Sequence, residues 1–296
     1  MTAVDERADE LVEVAARACR RAGAYLADSF SRPFHVGTKS GRYDLVTECD
    51  AAAEKMIRRD LADAFPGSVV VGEEDGASGA GDLTWYVDPI DGTHNFARGI
   101  PLFCVSIGIQ RAGVPIGGCV YDPVRDELFS ADAHGLRLNG APLSVPAGHG
   151  PADDTVADDT VADDTVADDM VADPAGGRLP MLLTDIPTAG TADSAELNLF
   201  CRMLDAADVR RIGSSALALA YVAAGRADVA ANADVFPWDI AAGRVLVTAA
   251  GGRFTEFPGP RRPGAPGGFV AWLPSCDALG RLLVREMSGL PALGTH

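Results

Sequence analysis

Trp85-Tyr86-Val87-Asp88-Pro89-Ile90-Asp91-Gly92-Thr93-His94-Asn95-Phe96 runs an apolar stretch straight into two carboxylates and a glycine. Trp85 to Val87 favour a strand, and Pro89 has no N–H to give a neighbour, so the chain is expected to leave its sheet at Asp88. Asp91 follows three residues on. Gly92 frees the backbone for a turn, and Thr93-His94-Asn95 can open a helix whose first N–H groups face the same space. Two hard oxygen anions beside a helix start suit Mg²⁺ and a phosphate group, because Mg²⁺ is commonly shared between carboxylates and phosphate oxygens. A strand, an Asp-Pro turn and an N-capping Asp would give the same residues, so the rest of the chain must decide.

Two further segments end elements in acids. Val69-Val70-Val71 leads into Gly72-Glu73-Glu74-Asp75-Gly76, and Pro237-Trp238-Asp239-Ile240-Ala241-Ala242-Gly243 sets one Asp at the start of an apolar helix. Thr47-Glu48-Cys49-Asp50 has the form of a capping box with Asp in third place, opening a helix through Ala53, Ile57, Leu61 and Ala64 that stops at Phe65-Pro66-Gly67. On that pattern alone Asp50 is an ordinary first-turn acid. Arg210-Arg211-Ile212-Gly213-Ser214-Ser215-Ala216-Leu217 reads as strand, glycine turn and helix start, with small residues that let a ligand approach backbone N–H groups.

In these segments the chain resembles the inositol monophosphatase family of metal-dependent phosphatases. Asp88 to Phe96 matches the family's D-P-[IL]-D-G-T-x-N-[FY] signature, and Trp238 to Ala242 matches W-D-x-[AG]-[AG]. Gly72-Glu73-Glu74, and Lys39 with Asp44-Leu45-Val46-Thr47, follow the family's order at similar spacings, so the resemblance spans roughly residues 8–257. It implies an α+β fold, the five-layer αβαβα sandwich of the inositol monophosphatase and fructose-1,6-bisphosphatase type.

The resemblance also implies a site. Glu73, Asp88, Asp91, Asp239 and the carbonyl of Ile90 would hold two or three Mg²⁺ ions, with Mn²⁺ as an alternative. Thr93, hydrogen-bonded to Asp50, would orient a water for in-line attack on phosphorus; with Glu73 and Asp91 these form the implied catalytic set. Gly92, Thr93, His94, Gly213, Ser214 and Ser215 would surround the phosphate and substrate, and Lys39 would lie near the metals. The implied reaction is Li⁺-sensitive hydrolysis of a small phosphomonoester without a covalent enzyme intermediate. The D-x-D-G-T motif of haloacid-dehalogenase-type phosphatases, with its phosphorylated Asp, is excluded because its first position is occupied by Pro89.

Inositol-type relatives carry a glutamate seven residues before the W-D aspartate, where this chain has Asn232. An amide there suits a sugar, nucleoside or polyol phosphate better than an amino substrate such as histidinol phosphate, unless Asp234 supplies the charge. Inositol phosphate, histidinol phosphate and adenosine 3′,5′-bisphosphate stay open as substrates, and a partner-binding regulatory role is the alternative from another class. The isosteric change Asp91→Asn is expected to remove a ligand charge and leave thermal unfolding unchanged.

The 296 residues, 47% apolar and 23% charged, suffice for one large or two medium domains with a buried core. No apolar run reaches the ~18 residues of a membrane span. Met1 to Glu6 is acidic where a secretory leader is basic and then apolar, so a cytoplasmic protein is expected. Cys19, Cys49, Cys104, Cys119, Cys201 and Cys276 form no C-x-x-C pair and predict reduced, mostly buried thiols. A net charge of −17 argues against nucleic acid or an anionic membrane as the main partner; the resemblance implies a small-molecule phosphomonoester instead, and a homodimer is expected.

Apolar spacing predicts a helix over residues 5–30, and strands are expected at 104–110, 115–121, 127–131 and 135–138 as an antiparallel meander. Residues 31–42 and 77–81 read as loose connectors. Residues 152–171 are four copies of a five-residue unit, Ala-Asp-Asp-Thr-Val three times and Ala-Asp-Asp-Met-Val once. Five residues turn a helix by about 500°, so the valines spiral round it, and in a strand they alternate between faces. No packing face results, and residues 149–177 are expected to be a disordered acidic insertion between an N-terminal half, 1–148, and a C-terminal half, 178–296. Removing the nine Asp of residues 152–173 from −17 leaves −8, an ordinary value for an enzyme. Beyond it a strand at 179–184, a helix at 195–204, a strand at 227–231, a helix from Asp239 to about Ala250, a loop at 258–268 and a helix at 277–287 complete the chain.

Overall fold

The computed structural model describes residues 5–32, 34–41, 44–145, 178–259, 266–291 and 293. The acidic repeat and the expected disorder of its insertion therefore lie outside the described residues. So does the side chain of Lys39.

Helix α1 (Asp5–Phe30) buries Leu11, Val14, Ala15, Ala18, Ala22 and Leu26. The connector expected after it is an antiparallel hairpin of β1 (Val36–Gly41) and β2 (Asp44–Thr47), with Lys39 in β1. Val36 and Thr38 are exposed, so the described part of the first strand shows no buried row that its sequence could announce. Helix α2 (Glu48–Ala64) starts on the expected capping box: Thr47 Oγ1 accepts from Cys49 N, and Asp50 Oδ2 accepts from Thr47 N at 2.7 Å.

The strands β3 (Val69–Gly72), β4 (Gly76–Gly79) and β5 (Leu83–Asp91) precede the short helix α3 (Thr93–Ala97). Strand β4 corrects the second expected connector: Gly76-Ala77-Ser78-Gly79 is exposed and carries no apolar row, and it is held by backbone pairing to β3. The meander follows as β6 (Cys104–Arg111), β7 (Val114–Asp122), β8 (Glu127–Asp132), β9 (Gly135–Leu138) and β10 (Ala141–Pro142). Together they form one sheet in the order β10-β9-β8-β7-β6-β5-β3-β4, antiparallel except where β3 runs beside β5.

Pro89 does not end β5. Asp88 pairs with Ser106 and Asp91 with Cys104, so the strand gains one residue over its neighbour in a bulge at Pro89-Ile90. A bulged residue owes the ladder no N–H, which is why proline is tolerated there and why both aspartates stay on the sheet.

The second half supplies β11 (Met181–Leu183), α4 (Ser194–Ala206), β12 (Asp208–Arg210), α5 (Ser215–Ala223), β13 (Val229–Val235), α6 (Pro237–Ala249), β14 (Arg253–Phe257), β15 (Gly267–Trp272) and α7 (Asp277–Ser288). Its sheet has the order β12-β11-β13-β15-β14. Strand β15 is absent from the sequence reading: Phe269, Val270, Ala271 and Trp272 are buried on both faces and so show no alternation.

Three apolar cores separate five layers. Helices α1 and α2 pack on one face of the large sheet around Leu26, Ile57 and Trp85. Helices α5 and α6 fill the space between the sheets with Leu217, Leu219, Leu246 and Val247, and α4 and α7 cover the outer face of the small sheet with Leu199, Met203, Leu283 and Met287. A helix held between two sheets is apolar all round, as Ser-Ala-Leu-Ala-Leu-Ala-Tyr-Val-Ala of α5 is. A Cβ on Gly108 of β6 would stand 2.4 Å from Ala241 Cβ, so glycine lets α6 lie directly on the sheet.

Phe96, fully buried on α3, contacts Phe34 and Phe103 with ring centroids 4.9 Å away in each case, the latter edge to face. Phe96→Leu is expected to destabilise the fold by about 1–2 kcal/mol, through lost volume and lost ring contacts, as read by urea unfolding. Cys19, Cys49, Cys104, Cys119 and Cys276 are buried free thiols and Cys201 is exposed. Among the described residues no helix is long and apolar enough to cross a membrane.

Candidate active site

The bulge of β5 sets Asp88 and Asp91 at the sheet's end, 2% and 8% exposed. Asp88 Oδ1 accepts from Ile90 N at 2.9 Å, the local turn that suits an Asp before proline. The parallel pairing of Gly72 with Val87 brings Glu73 level with Asp88, and Glu73 N donates to Val87 O at 3.2 Å. Gly92, at φ 99°, is in the left-handed region that glycine alone enters cheaply, and turns the chain into α3.

Thr93 Oγ1 lies 3.1 Å from Asp50 Oδ1 and 2.9 Å from the carbonyl oxygen of Ile90. Its one hydrogen serves these two acceptors. Asp50 is 1% exposed; burial pushes its carboxyl up, against the hydrogen bonds donated by Thr47 and Thr93. His94 is exposed on α3.

Asp91 joins the two halves of the chain. Its Oδ2 accepts from Ser214 Oγ at 2.7 Å and Ala216 N at 2.5 Å, and its Oδ1 from Ser215 N at 3.2 Å. A carboxylate from the large sheet thus caps the first turn of α5, where unpaired N–H groups and the helix dipole favour an anion. Burial still pushes the Asp91 carboxyl up to about 6, those three donors notwithstanding. Asp239, in the first turn of α6, accepts from Phe236 N at 2.7 Å, and Ser106 Oγ to Trp238 O at 3.3 Å fixes that helix start against β6.

Glu73, Asp88, Asp91 and Asp239 therefore meet from three separate segments. Asp88 shares a side-chain hydrogen bond with Glu73, and Asp239 shares one with Asp88. Burial, then the charges of Glu73, Asp91 and Asp239, push Asp88 well above the usual carboxylate range; burial and the charge of Asp91 do the same for Asp239. Among the described residues no three His, Cys, Asp or Glu side chains already stand as a ready-made set of metal ligands. The donor set suits a divalent cation, since clustered hard carboxylate oxygens crowded together in a buried place are groups that a cation of high charge holds ionised.

Asn232 is held from both ends of its side chain. It is 2% exposed, Nδ2 donates to Ser215 Oγ at 2.9 Å, and Oδ1 accepts from Asp185 N at 2.5 Å. The amide has a second Nδ2 hydrogen and a second Oδ1 lone pair beyond these two bonds. Gly213, at φ 65°, donates its N–H to Asp185 Oδ1 at 3.2 Å. Asp185 belongs to no sequence motif; only its place directly after a short strand hinted at a site. Cys104, also unmarked, lies 3.8 Å from both Asp91 Oδ2 and Ser214 Oγ, its thiol pushed well up by burial and by the charges of Asp91 and Asp88.

The layered fold and the acids gathered at its helix starts define one class of protein. The chain belongs to the inositol monophosphatase family, whose pattern matches residues 7–277. It is 36% identical over 257 residues to the Nus factor SuhB of Xylella fastidiosa, covering 85% of this chain and 84% of that protein. To inositol monophosphatase 3 of Solanum lycopersicum it is 36% identical over 251 residues, covering 82% and 85%. Among solved structures, the extragenic suppressor protein suhB from Bartonella henselae superposes with a TM-score of 0.76 at 28% identity, over 95% of this chain and 99% of that one. Inositol monophosphatase from Anabaena gives 0.71 at 29%, over 96% and 97%. The five-layer αβαβα architecture expected from the sequence is that of these relatives.

Proposed function

We propose that the protein is a Mg²⁺-dependent phosphomonoesterase. The observation that carries this is the meeting of Glu73, Asp88, Asp91 and Asp239 beside the Thr93–Asp50 pair at the starts of α3, α5 and α6. Those four acids and the Ile90 carbonyl would hold two or three Mg²⁺ ions, with Mn²⁺ as an alternative. When bound, Mg²⁺ supplies the positive charge that draws in a phosphate and makes a water more acidic.

The chain's own groups do the rest. Thr93 Oγ1, its hydrogen directed to Asp50 or Ile90, keeps lone pairs that accept a hydrogen bond from a water and aim it at phosphorus. Ser214 and the first amides of α5 hold the Asp91 carboxylate in one orientation. Gly92, His94, Gly213 and Ser215 would surround the phosphate and substrate, with Asn232, hydrogen-bonded to Ser215 and Asp185, beside them. We infer a substrate with a hydroxylated leaving group, an inositol, sugar, polyol or nucleoside phosphate.

Steady-state kcat/KM values for inositol 1-phosphate, histidinol phosphate, fructose 1,6-bisphosphate, adenosine 3′,5′-bisphosphate and nucleoside monophosphates test this. A polyol or nucleoside phosphate is expected to lead by at least about tenfold. Histidinol phosphate far above all others would overturn the substrate assignment and leave the metal site standing. The relatives named Nus factor favour a second reading, a partner-binding regulatory protein; absence of turnover on every phosphomonoester by the folded, Mg²⁺-loaded protein would favour it.

A further inference from the structure

Asp50 and Glu54 stand four residues apart on α2, both buried, and only the first belongs to a motif. Glu54 is 0% exposed. Its Oε2 accepts from Glu74 N at 2.8 Å, and its Oε1 from Asp75 N at 3.0 Å and Arg58 Nε at 2.7 Å. Arg58 then spans the turn: Nη1 donates to Ser78 Oγ at 2.8 Å and Val70 O at 3.3 Å, and Nη2 to Gly76 O at 2.5 Å.

The residue enclosed by these bonds is Glu73. Its own N–H is fixed to Val87 O, next to Asp88, and the N–H that follows it, on Glu74, is fixed to Glu54. Both peptide planes flanking Glu73 are thereby anchored, one to the central strand and one to α2. Gly72 completes the fit, since a Cβ there would stand 2.4 Å from Glu54 Oε1. An exposed four-residue edge strand of Gly, Ala and Ser cannot supply such rigidity through side-chain packing.

We propose that Glu54 and Arg58 are positioning residues that hold the Glu73 turn in register with Asp88 for binding a divalent cation; this rests on the metal-site reading above. A ligand whose backbone is fixed in advance loses little freedom on binding, and groups that orient ligands in this way govern metal affinity by about tenfold or more. One face of α2 would then support the site twice, through Asp50 on Thr93 and through Glu54 on the Glu73 turn.

The test is Mn²⁺ binding to the full chain, followed by calorimetry and by water-proton relaxation, for wild type, Glu54→Gln and Arg58→Lys. Glu54→Gln keeps the volume but turns an amide NH₂ toward a donor. It is expected to weaken Mn²⁺ binding by about tenfold and to raise the Mg²⁺ concentration for half-maximal turnover by a similar factor, with kcat at saturating Mg²⁺ within about threefold. Arg58→Lys retains the cation and gives up the fork onto Ser78 and Gly76, and is expected to weaken binding about threefold. Wild-type Mn²⁺ affinity in folded Glu54→Gln, even with a lowered Tm, would mean a merely structural role and overturn the proposal. Should Glu54→Gln fail to fold, unchanged affinity in Arg58→Lys overturns it instead. A folded wild type that takes up no Mn²⁺ removes the metal-site reading and this proposal together, whereas normal uptake by wild type and variants alike removes this one alone.

Discussion

Asp91→Asn is expected to lower kcat by about three orders of magnitude in saturating Mg²⁺, because it removes a carboxylate charge from the centre of the acid cluster. The sequence alone suggested no cost to folding. The geometry adds two opposing effects. Oδ2 accepts from Ser214 Oγ and Ala216 N, and Oδ1 from Ser215 N, so an asparagine must turn its NH₂ toward at least one donor whichever way it is flipped. That mismatch costs about 1–3 kcal/mol. Relief of a carboxylate that burial pushes up to about 6 is of similar size and opposite sign, so metal-free stability is expected to change little. Steady-state rates and metal-free urea unfolding measure the two effects separately. Near-normal turnover in this variant would remove Asp91, and with it the proposed site, from the chemistry.

Stripping divalent metal with a chelator is expected to bring turnover to background, with full recovery on adding Mg²⁺ and inhibition by Li⁺. The physical cause is the burial and crowding of Glu73, Asp88, Asp91 and Asp239. Binding should therefore also stabilise the fold. At a Mg²⁺ concentration about 100-fold above Kd, the native state gains roughly 2.7 kcal/mol, visible as a raised Tm. Turnover that survives chelation, or a Tm indifferent to Mg²⁺, would contradict the assignment.

Much of this arrangement could be read from local pattern. The capping box at Thr47 and Asp50, the turn at Gly92 and the helix start at Asp239 are short-range devices, and each is where the sequence put it. Three features escaped for physical reasons. Strand β15 is buried on both faces and lacks alternation, and β1 and β4 have little or no buried face. Pro89 pointed to an exit from the sheet because proline withholds a ladder bond, but a bulge meets the same constraint while keeping Asp91 in the strand. Asn232, Asp185 and Glu54 act across 17 to 47 residues of sequence, where no spacing rule operates. Their polar ends are satisfied by backbone and side chains that only the fold brings near.

The bond from Asp91 to the start of α5 also bears on how the protein is made. Ser214 lies 123 residues further along the chain, and Asp239 later still. A chain emerging from the ribosome can form the meander of β6 to β9 through contacts between neighbours, but the acid cluster waits for closure of a loop that spans most of the molecule. A nascent or truncated chain ending before Asp239 thus carries three of the four acids with no assembled site, so the proposed metal centre comes into being only when the fold is complete.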